Sequence, residues 1–323
     1  MAYTFNESPT PRPRQWKKLA IALSAALTLA PVSACAPDDP WPSEVLRGIT
    51  IASHDNLDEI IEAVENLSSP PTVRIVVDSS EKPSDIRPLV DGLDPHAQLM
   101  MTVVDSTQMA QLSAEDIRQR TTAFIDVYAS QVDVWEIGNE LNGQWVGDNP
   151  QAINEKVSAA SKVVEAAGER SAITLNYWHS ADCYSKEWEE TISYSQTLPD
   201  EVMKHLDLLM LSVYETACSP IQRPNARDLA RTFIAIGEQA PRAQLAIGEF
   251  GAQGVEDGME RNPTPQYKAD IARRYMSMNA ELTQLVGRRF VGGWFWWYFA
   301  EDAVPMDAPD SLWTILDELL TDL

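Results

Sequence analysis

The feature that most constrains the fold of this chain is an eightfold alternation between short β-rich runs and amphipathic helical stretches. The runs are rich in Val, Ile and Leu without strict polar alternation, which is typical of strands covered on both faces. Parallel neighbouring strands need crossover helices between them. Eight such units predict an α/β fold, a closed (β/α)8 TIM barrel in a single domain. The predicted strands are 48–53, 72–78, 98–105, 132–140, 172–177, 206–214, 244–249 and 290–297.

An open doubly wound sheet is the alternative architecture. The first strand runs directly into Asp55 without the Gly-x-Gly-x-x-Gly turn that such sheets use to bind dinucleotides, which favours the barrel. Helix punctuation supports the alternation: Ser113 and Asp116 form a near capping box, and Pro150 and Gly168 bound another helix. The remaining predicted helices are 55–67, 84–93, 186–206, 225–239, 265–285 and 309–320.

The first 34 residues have the pattern of a secretory signal. Four basic residues between positions 12 and 18 precede an apolar stretch, 19–30, that is short for a membrane span. The following Val32-Ser-Ala-Cys35 resembles the lipobox of bacterial lipoproteins, which implies cleavage before Cys35 and lipidation of that cysteine. An ordinary signal peptide cut near Ala34 or Ala36, or an uncleaved anchor, is the alternative. We therefore expect export to the periplasmic or surface side of a bacterial cell envelope.

Closely spaced prolines after Cys35 predict a short extended tether, residues 35–46, ahead of a catalytic barrel over 47–323. Without residues 1–34 the chain has 21 Lys and Arg against 47 Asp and Glu, a net charge of −26. Such a surface repels nucleic acid and anionic lipid head groups. We expect a monomer that touches the membrane only through its lipid and binds a neutral substrate such as a sugar polymer, although solubility alone explains the same charge.

Two glutamates occupy matching contexts. Glu140 ends the run Val134-Trp-Glu-Ile-Gly-Asn-Glu, and Glu249 ends Leu245-Ala-Ile-Gly-Glu. In the barrel they follow strands four and seven at the C-terminal face, where such barrels carry their active sites. Two carboxylates at one site are the minimum equipment for cleaving a glycosidic bond.

The Asn139-Glu140 pair after strand four and Glu249 after strand seven together resemble the signature of clan A glycoside hydrolases, retaining β-glycosidase barrels that include the family 5 cellulases. The resemblance covers the chain from about Gly48 onward. It implies that Glu140 is the general acid/base, that Glu249 is the nucleophile and that no cofactor is needed. Leu141 stands where family 5 commonly has proline, so the family within the clan stays open.

Three further positions match the same pattern, and it also gives Asn139 a role. Arg74 on strand two resembles the arginine that lies beneath the nucleophile and keeps it ionised. By the same resemblance Asn139 binds the sugar 2-hydroxyl, Tyr214 orients the nucleophile and Trp297 forms an aromatic platform under the sugar. Each residue alone most often has a structural role. The hypothesis depends on the coincidence of all of them at the expected strand ends.

The loops after the strands carry further candidates. Trp145 follows the acid/base and is placed to stack a sugar on the leaving-group side, and His179 is a candidate contact to substrate or to the acid/base. Cys183 and Cys218 lie in the loops after strands five and six, which are neighbours in the barrel. Export permits them to pair, and a disulfide there would stiffen the rim of the site. Two free buried thiols are the alternative. His54, Asn176 and Trp178 also lie near strand ends.

Competing chemistries lack their motifs. The four histidines form no His-x-His or His-Glu-x-x-His arrangement, no lysine ends a predicted strand, and no Gly-x-Ser-x-Gly elbow occurs. The resemblance to clan A therefore implies a retaining glycosidase that cleaves β-linked poly- or oligosaccharides by double displacement. Short loops favour an open cleft and endo action, with exo action left open. A non-catalytic, lipid-anchored carbohydrate-binding or cell-envelope barrel is the alternative from another class.

Overall fold

The computed structural model describes residues 45–323, and the predicted signal peptide, Cys35 and all but the end of the predicted tether lie outside them. Eight parallel strands pair in sequence order and close into a barrel, with the first strand beside the eighth. This confirms the predicted (β/α)8 class. The strands are β1 Leu46–Ile51, β2 Thr72–Val76, β3 Gln98–Thr102, β4 Val134–Gly138, β5 Ser171–Asn176, β6 Leu208–Val213, β7 Gln244–Phe250 and β8 Phe290–Trp296.

The helices that surround the barrel follow the predicted alternation. Between residues 45 and 323, no helix is long and apolar enough to cross a membrane. The helices are α1 Leu57–Glu65, α2 Arg87–Leu93, α3 Ser106–Met109, α4 Ala114–Tyr128, α5 Pro150–Ala167, α6 Thr191–Ser195, α7 Asp200–His205, α8 Ala226–Gly237, α9 Pro265–Met276, α10 Asn279–Val286, α11 Phe299–Asp302 and α12 Trp313–Thr321, with 3₁₀ turns at Glu187–Glu189, Glu215–Ala217 and Val255–Asp257.

Two helix boundaries were predicted well and two long helices wrongly. The Ser113 and Asp116 capping box starts α4, and Gly168 ends α5 in the left-handed conformation. The predicted helix 186–206 is broken into α6 and α7, because Pro199 lacks an N–H and disfavours helix in the residue before it. The predicted helix 265–285 also divides, into α9 and α10, where no proline or glycine marks the break.

The barrel interior contains a layer of polar side chains instead of a purely apolar filling. Arg74, Thr102, Glu136 and Thr174, from β2 to β5, are at most 2% exposed and contact one another. Gly248 on β7 lies beside this layer. A side chain would not fit there, because a Cβ on this residue would lie 2.7 Å from the Cβ of Met210. Polar groups so deep in a core are stable only when they are paired with one another. The barrel end above this layer carries the predicted site residues.

Candidate active site

Glu140 lies just beyond the C-terminal end of β4, in a strained backbone conformation. Its φ of 51° is in the left-handed region, which a residue with a Cβ enters at a cost of about 1 to 3 kcal/mol. Neighbouring backbone groups hold it there: the Gly143 N–H donates to the Glu140 carbonyl at 2.8 Å, and the Leu141 N–H donates to the Thr174 carbonyl at 3.3 Å. The Asn176 amide also donates to the Glu140 carbonyl at 3.4 Å. Such strain is typical of residues whose side chains must point in one direction.

The carboxylate of Glu140 receives one hydrogen bond from a side chain. Ser212 on β6 donates its hydroxyl to Glu140 Oε1 at 2.7 Å. In the β6–β7 register Ser212 is the partner of Glu249, so this serine lies beside both glutamates. The sequence patterns did not point to Ser212, because a serine before Val213 in a strand carries no signal of its own.

Glu249 has a richer set of hydrogen-bond donors. Arg74 donates Nη1–H to Glu249 Oε2 at 2.9 Å, and the Tyr214 hydroxyl donates to Oε1 at 3.0 Å. The Asn139 amide approaches Oε2 at 3.5 Å. The side chain of Glu249 is 5% exposed, and Glu249 is the penultimate residue of β7. The structure therefore places three of the predicted site residues, Arg74, Asn139 and Tyr214, around the carboxylate of Glu249.

Arg74 is shared between two glutamates. The guanidinium is fully buried and donates Nε–H and Nη2–H to Glu136 at 2.7 and 3.0 Å, while Nη1 serves Glu249. Thr102 and Thr174 also donate their hydroxyls to Glu136. Glu136 was missed in the sequence, although a glutamate inside a buried strand is itself a signal that a cation lies nearby.

The two rim carboxylates differ in their affinity for a proton. Burial, and then repulsion from Glu249, raise the pKa of Glu140 to about 8, with the Ser212 hydrogen bond opposing the change. Burial also raises the pKa of Glu249, and here the charge and hydrogen bond of Arg74 and the hydrogen bond of Tyr214 oppose it. Because Glu249 has the cation and more donors, it loses its proton first. At neutral pH Glu140 therefore holds the proton.

Trp297 follows β8 and borders the same site. Its ring centroid lies 5.4 Å from the guanidinium carbon of Arg74, and its side chain is partly exposed. Trp294 and Trp296 are buried and pack edge-on against Phe250, so only one of the three tryptophans at the end of the chain's last strand remains open to a ligand. Among the described residues the Oδ1 atom of Asn139 has no hydrogen-bond partner, which leaves an acceptor at the site.

A second aromatic group forms the wall beside Glu140. The partly buried Trp145 donates its indole N–H to the Ser106 hydroxyl at 3.2 Å and meets Trp178 edge-on at 5.6 Å between ring centroids. Trp178 packs against Cys183 and Cys218, which are bonded to each other as a disulfide. The loops after β4, β5 and β6 are thus joined into one wall.

Two histidines lie outside this arrangement. His179 is exposed and stacks on Tyr177, with ring centroids 5.0 Å apart, and its contact to substrate stays a prediction. His54 pairs with Glu81 at 2.6 Å in the loops after β1 and β2. Tyr298, which the sequence patterns did not single out, donates its hydroxyl to Asp257 at 2.8 Å in the loops after β8 and β7.

No group of three or more His, Cys, Asp or Glu side chains that could hold a metal ion occurs within residues 45–323. Three side chains converge on the Glu249 carboxylate and one on that of Glu140, an asymmetric pair that can donate a proton from one side and an electron pair from the other.

No protein-family model matches the sequence, and no curated protein matches it either. Solved structures are similar in fold. A β-glucosidase from Thermotoga maritima, in complex with a methoxycarbonyl-substituted glucoimidazole, has a TM-score of 0.56 and 13% identity over 80% of this chain and 89% of that one. A rice β-glucosidase has a TM-score of 0.52 and 9% identity over 76% of this chain and 79% of that one.

A third similar structure comes from a longer protein. The β-glucuronidase 2 of Bacteroides uniformis, covalently bound to a cyclophellitol-6-carboxylate aziridine, has a TM-score of 0.52 and 13% identity over 79% of this chain but only 30% of that one. At such identities the likeness establishes a shared fold and leaves the activity to be argued from the site. The chain has the barrel fold of these glycosidases.

Proposed function

We propose that the protein is a retaining β-glycoside hydrolase in which Glu249 is the nucleophile and Glu140 the general acid/base. The observation that carries the proposal is the unequal environment of the two carboxylates. Glu249 accepts hydrogen bonds from Arg74 and Tyr214, whereas Glu140 accepts one from Ser212 and has its pKa raised to about 8 by burial and by Glu249. Retaining glycosidases need this division between an ionised and a protonated carboxyl group.

In the first step, a carboxylate oxygen of Glu249 attacks the anomeric carbon while the bond from that carbon to the leaving oxygen breaks. The proton of Glu140 moves to that oxygen, so the leaving group departs as a neutral alcohol. Glu140 becomes a carboxylate, and the sugar is held as an ester on Glu249. Neutralising Glu249 also removes the repulsion that raised the pKa of Glu140, which fits Glu140 for its next role as a base.

In the second step, Glu140 removes a proton from a water molecule, and the water oxygen attacks the anomeric carbon. The ester bond to Glu249 breaks and the carboxylate returns to the donors of Arg74 and Tyr214. Two inversions give net retention of configuration. This mechanism predicts carboxyl groups about 5 to 5.5 Å apart, because a water between them, as in inverting enzymes, needs a wider gap.

The substrate we propose is a neutral β-linked poly- or oligosaccharide. Trp297 lies beside Arg74 after β8, and Trp145 follows Glu140 in the loop after β4; apolar sugar faces stack well on such rings. The unpartnered Oδ1 atom of Asn139 can accept a sugar hydroxyl. Structures of similar fold support the class: the rice β-glucosidase was obtained in a covalent complex with glucose. We further propose endo action in the open cleft.

Loss of the nucleophile should abolish hydrolysis. We expect Glu249→Gln to lower kcat by about a thousandfold or more on aryl β-glycosides and on neutral β-glucans, mannans, xylans and galactans. In the wild type, a 2-deoxy-2-fluoro aryl glycoside should leave a sugar ester on Glu249, identified by peptide mass spectrometry. Full activity of the variant, or a label on another residue, would contradict the assignment.

A matched control is Glu140→Gln, which keeps Glu249 and its donors. It should still form the ester from aryl glycosides with good leaving groups, because these need little protonation, but hydrolyse the ester slowly. Added azide should restore turnover as a β-glycosyl azide. If the wild type binds the same glycans without releasing reducing sugar, the protein is the non-catalytic binding barrel instead.

We also propose that the protein is exported and held at the bacterial cell envelope by lipid on Cys35. This rests on the basic and apolar segments before Val32-Ser-Ala-Cys35 and on the prolines that follow. A tethered barrel with net charge −26 would be repelled by anionic lipid, so the lipid would be its only attachment.

A further inference from the structure

Glu136 is a buried carboxylate that the two-step reaction does not use. Its side chain is fully buried inside the barrel, four residues before Glu140 on β4. A carboxylate in such a place is costly unless its lone pairs are filled. Four donors bind the carboxylate of Glu136: Nε and Nη2 of Arg74 and the hydroxyls of Thr102 and Thr174.

The geometry of these contacts fixes the position of Arg74. When Nε and Nη2 of a planar guanidinium both donate to one carboxylate, the orientation of the guanidinium is fixed. Its third nitrogen, Nη1, then points to the rim, where it donates to Glu249 at 2.9 Å and to the Gly248 carbonyl at 3.3 Å. The threonines fix Glu136 in turn, from the strands on either side of β4.

The charge of Glu136 also affects the ionisation of Glu249 and Glu140. One guanidinium faces the carboxylates of Glu136 and Glu249, with Glu140 beyond them. If Glu136 were neutral, the whole charge of Arg74 would act on the rim pair and would favour ionisation of both glutamates. The negative charge of Glu136 cancels part of that effect, so the rim pair can keep one proton.

We propose that Glu136 is a positioning residue of the site: by binding two nitrogens of Arg74 it presents the third to Glu249 and limits the positive charge that the rim carboxylates experience. The proposal rests on the proposed glycosidase function. Glu136 is too deeply buried to contact a sugar, so it would act on the reaction only through Arg74.

The test is the pKa of Glu249 in Glu136→Gln, a substitution that removes the charge and preserves the shape. The charged and titratable groups around Glu249 are Arg74 and Glu136 from below, Glu140 after β4, Tyr214 after β6 and Tyr298 after β8. Repulsion from Glu136 raises the pKa of Glu249, so its removal should lower that pKa. We expect a fall of at least half a pH unit, read by ¹³C NMR titration of carboxyl-labelled glutamate.

The kinetics should change in the same direction. The acid limb of the kcat/KM profile, which reports ionisation of the nucleophile, should move to lower pH. At neutral pH kcat should fall by up to about 100-fold, because the uncompensated charge of Arg74 favours ionisation of Glu140, the proton donor. Glu189→Gln is the matched control. Glu189 is also buried, 1% exposed, but it binds the N–H groups of Gln144, Ser185 and Lys186 instead of an arginine.

The control should lose stability without any movement of the Glu249 titration. An unchanged Glu249 pKa in a folded Glu136→Gln protein would overturn the proposal. If that variant does not fold, Glu136→Asp decides: it keeps the charge but is too short to reach both nitrogens, so kcat should fall at least fivefold with little change in KM, and a wild-type kcat would overturn the proposal. A wild type inactive on every glycan would reject the glycosidase function alone, because the NMR titration needs no turnover.

Discussion

At the scale of single residues, two glutamates in similar sequence contexts acquire different chemistry from their neighbours. Glu249 lies within a strand above the guanidinium of Arg74, whereas Glu140 lies on a strained turn with one serine hydroxyl. The difference is electrostatic: a cation and a phenol favour the ionised form of Glu249, and burial beside that charge favours the protonated form of Glu140. The roles therefore follow from position.

This difference predicts the alkaline limb of the pH profile. Glu140 must be protonated to act as the acid, so kcat/KM should decline as the pH rises through about 8. The Ser212 hydrogen bond favours the ionised form, so Ser212→Ala should raise the pKa of Glu140 and move this limb to higher pH. A net hydrogen bond of about 1 kcal/mol corresponds to roughly 0.7 of a pH unit.

The measurement is kcat/KM of an aryl β-glycoside between pH 5 and 10, for the wild type and Ser212→Ala. The acid limb serves as an internal control, because it reports Glu249, whose main donors Arg74 and Tyr214 remain in place. An alkaline limb that stays fixed or moves to lower pH would show that Ser212 does not favour the Glu140 carboxylate.

At the scale of secondary-structure elements, the strand ends position the chemistry and the loops after them build its walls. The Cys183–Cys218 disulfide links the loop after β5 to the loop after β6 and packs against Trp178, which in turn meets Trp145. A loop over 35 positions closed by a disulfide is expected to stabilise the fold by about 3 to 4 kcal/mol in the chain-entropy model.

Replacing both cysteines, as Cys183→Ser with Cys218→Ser, should lower the free energy of unfolding by about that amount in urea titrations. It should also raise KM for oligosaccharides, which extend past the cleavage site along Trp145, more than for short aryl glycosides. An equal change of KM for both substrate classes would show that the disulfide does not specifically support binding on the leaving-group side of the cleft.

At the scale of the whole molecule, an acidic barrel follows an N-terminal segment with an export pattern. If Cys35 carries lipid, the full chain expressed in a bacterial host should partition with membranes and incorporate radiolabelled palmitate. Cys35→Ser should abolish both while leaving hydrolysis unchanged, because the strands of the barrel and the proposed site residues all come from positions 46–323. Membrane partition that survives this substitution would favour an uncleaved anchor.

The same scale explains why fold and sequence comparisons differ. The barrel is shared with glycosidases at 9 to 13% identity, since backbone pairing of eight parallel strands tolerates many apolar side chains. The proposed reaction depends on a few side chains at one end of the barrel. Overall identity is therefore a weak guide to activity, and the site has to be tested directly.

The sequence by itself determined the barrel, the order of its strands and the candidate pair Glu140 and Glu249, because these depend on local periodicity and on residue type near the end of each strand. The exact strand ends differed: the predicted strands 72–78, 98–105 and 132–140 end at Val76, Thr102 and Gly138. It also supplied Arg74 and Tyr214 as their neighbours through a resemblance. It missed the break at Pro199 inside a predicted long helix, although the proline itself was a readable signal.

Only the tertiary structure decided which groups share a hydrogen bond. Glu136 meets Arg74 across 62 positions, and Ser212 meets Glu140 across 72. Contacts of this range depend on strand register and on the side-chain rotamers that packing selects, and neither is written in any short stretch of chain. For the same reason the structure, and not the sequence, placed His54 against Glu81, 27 positions away.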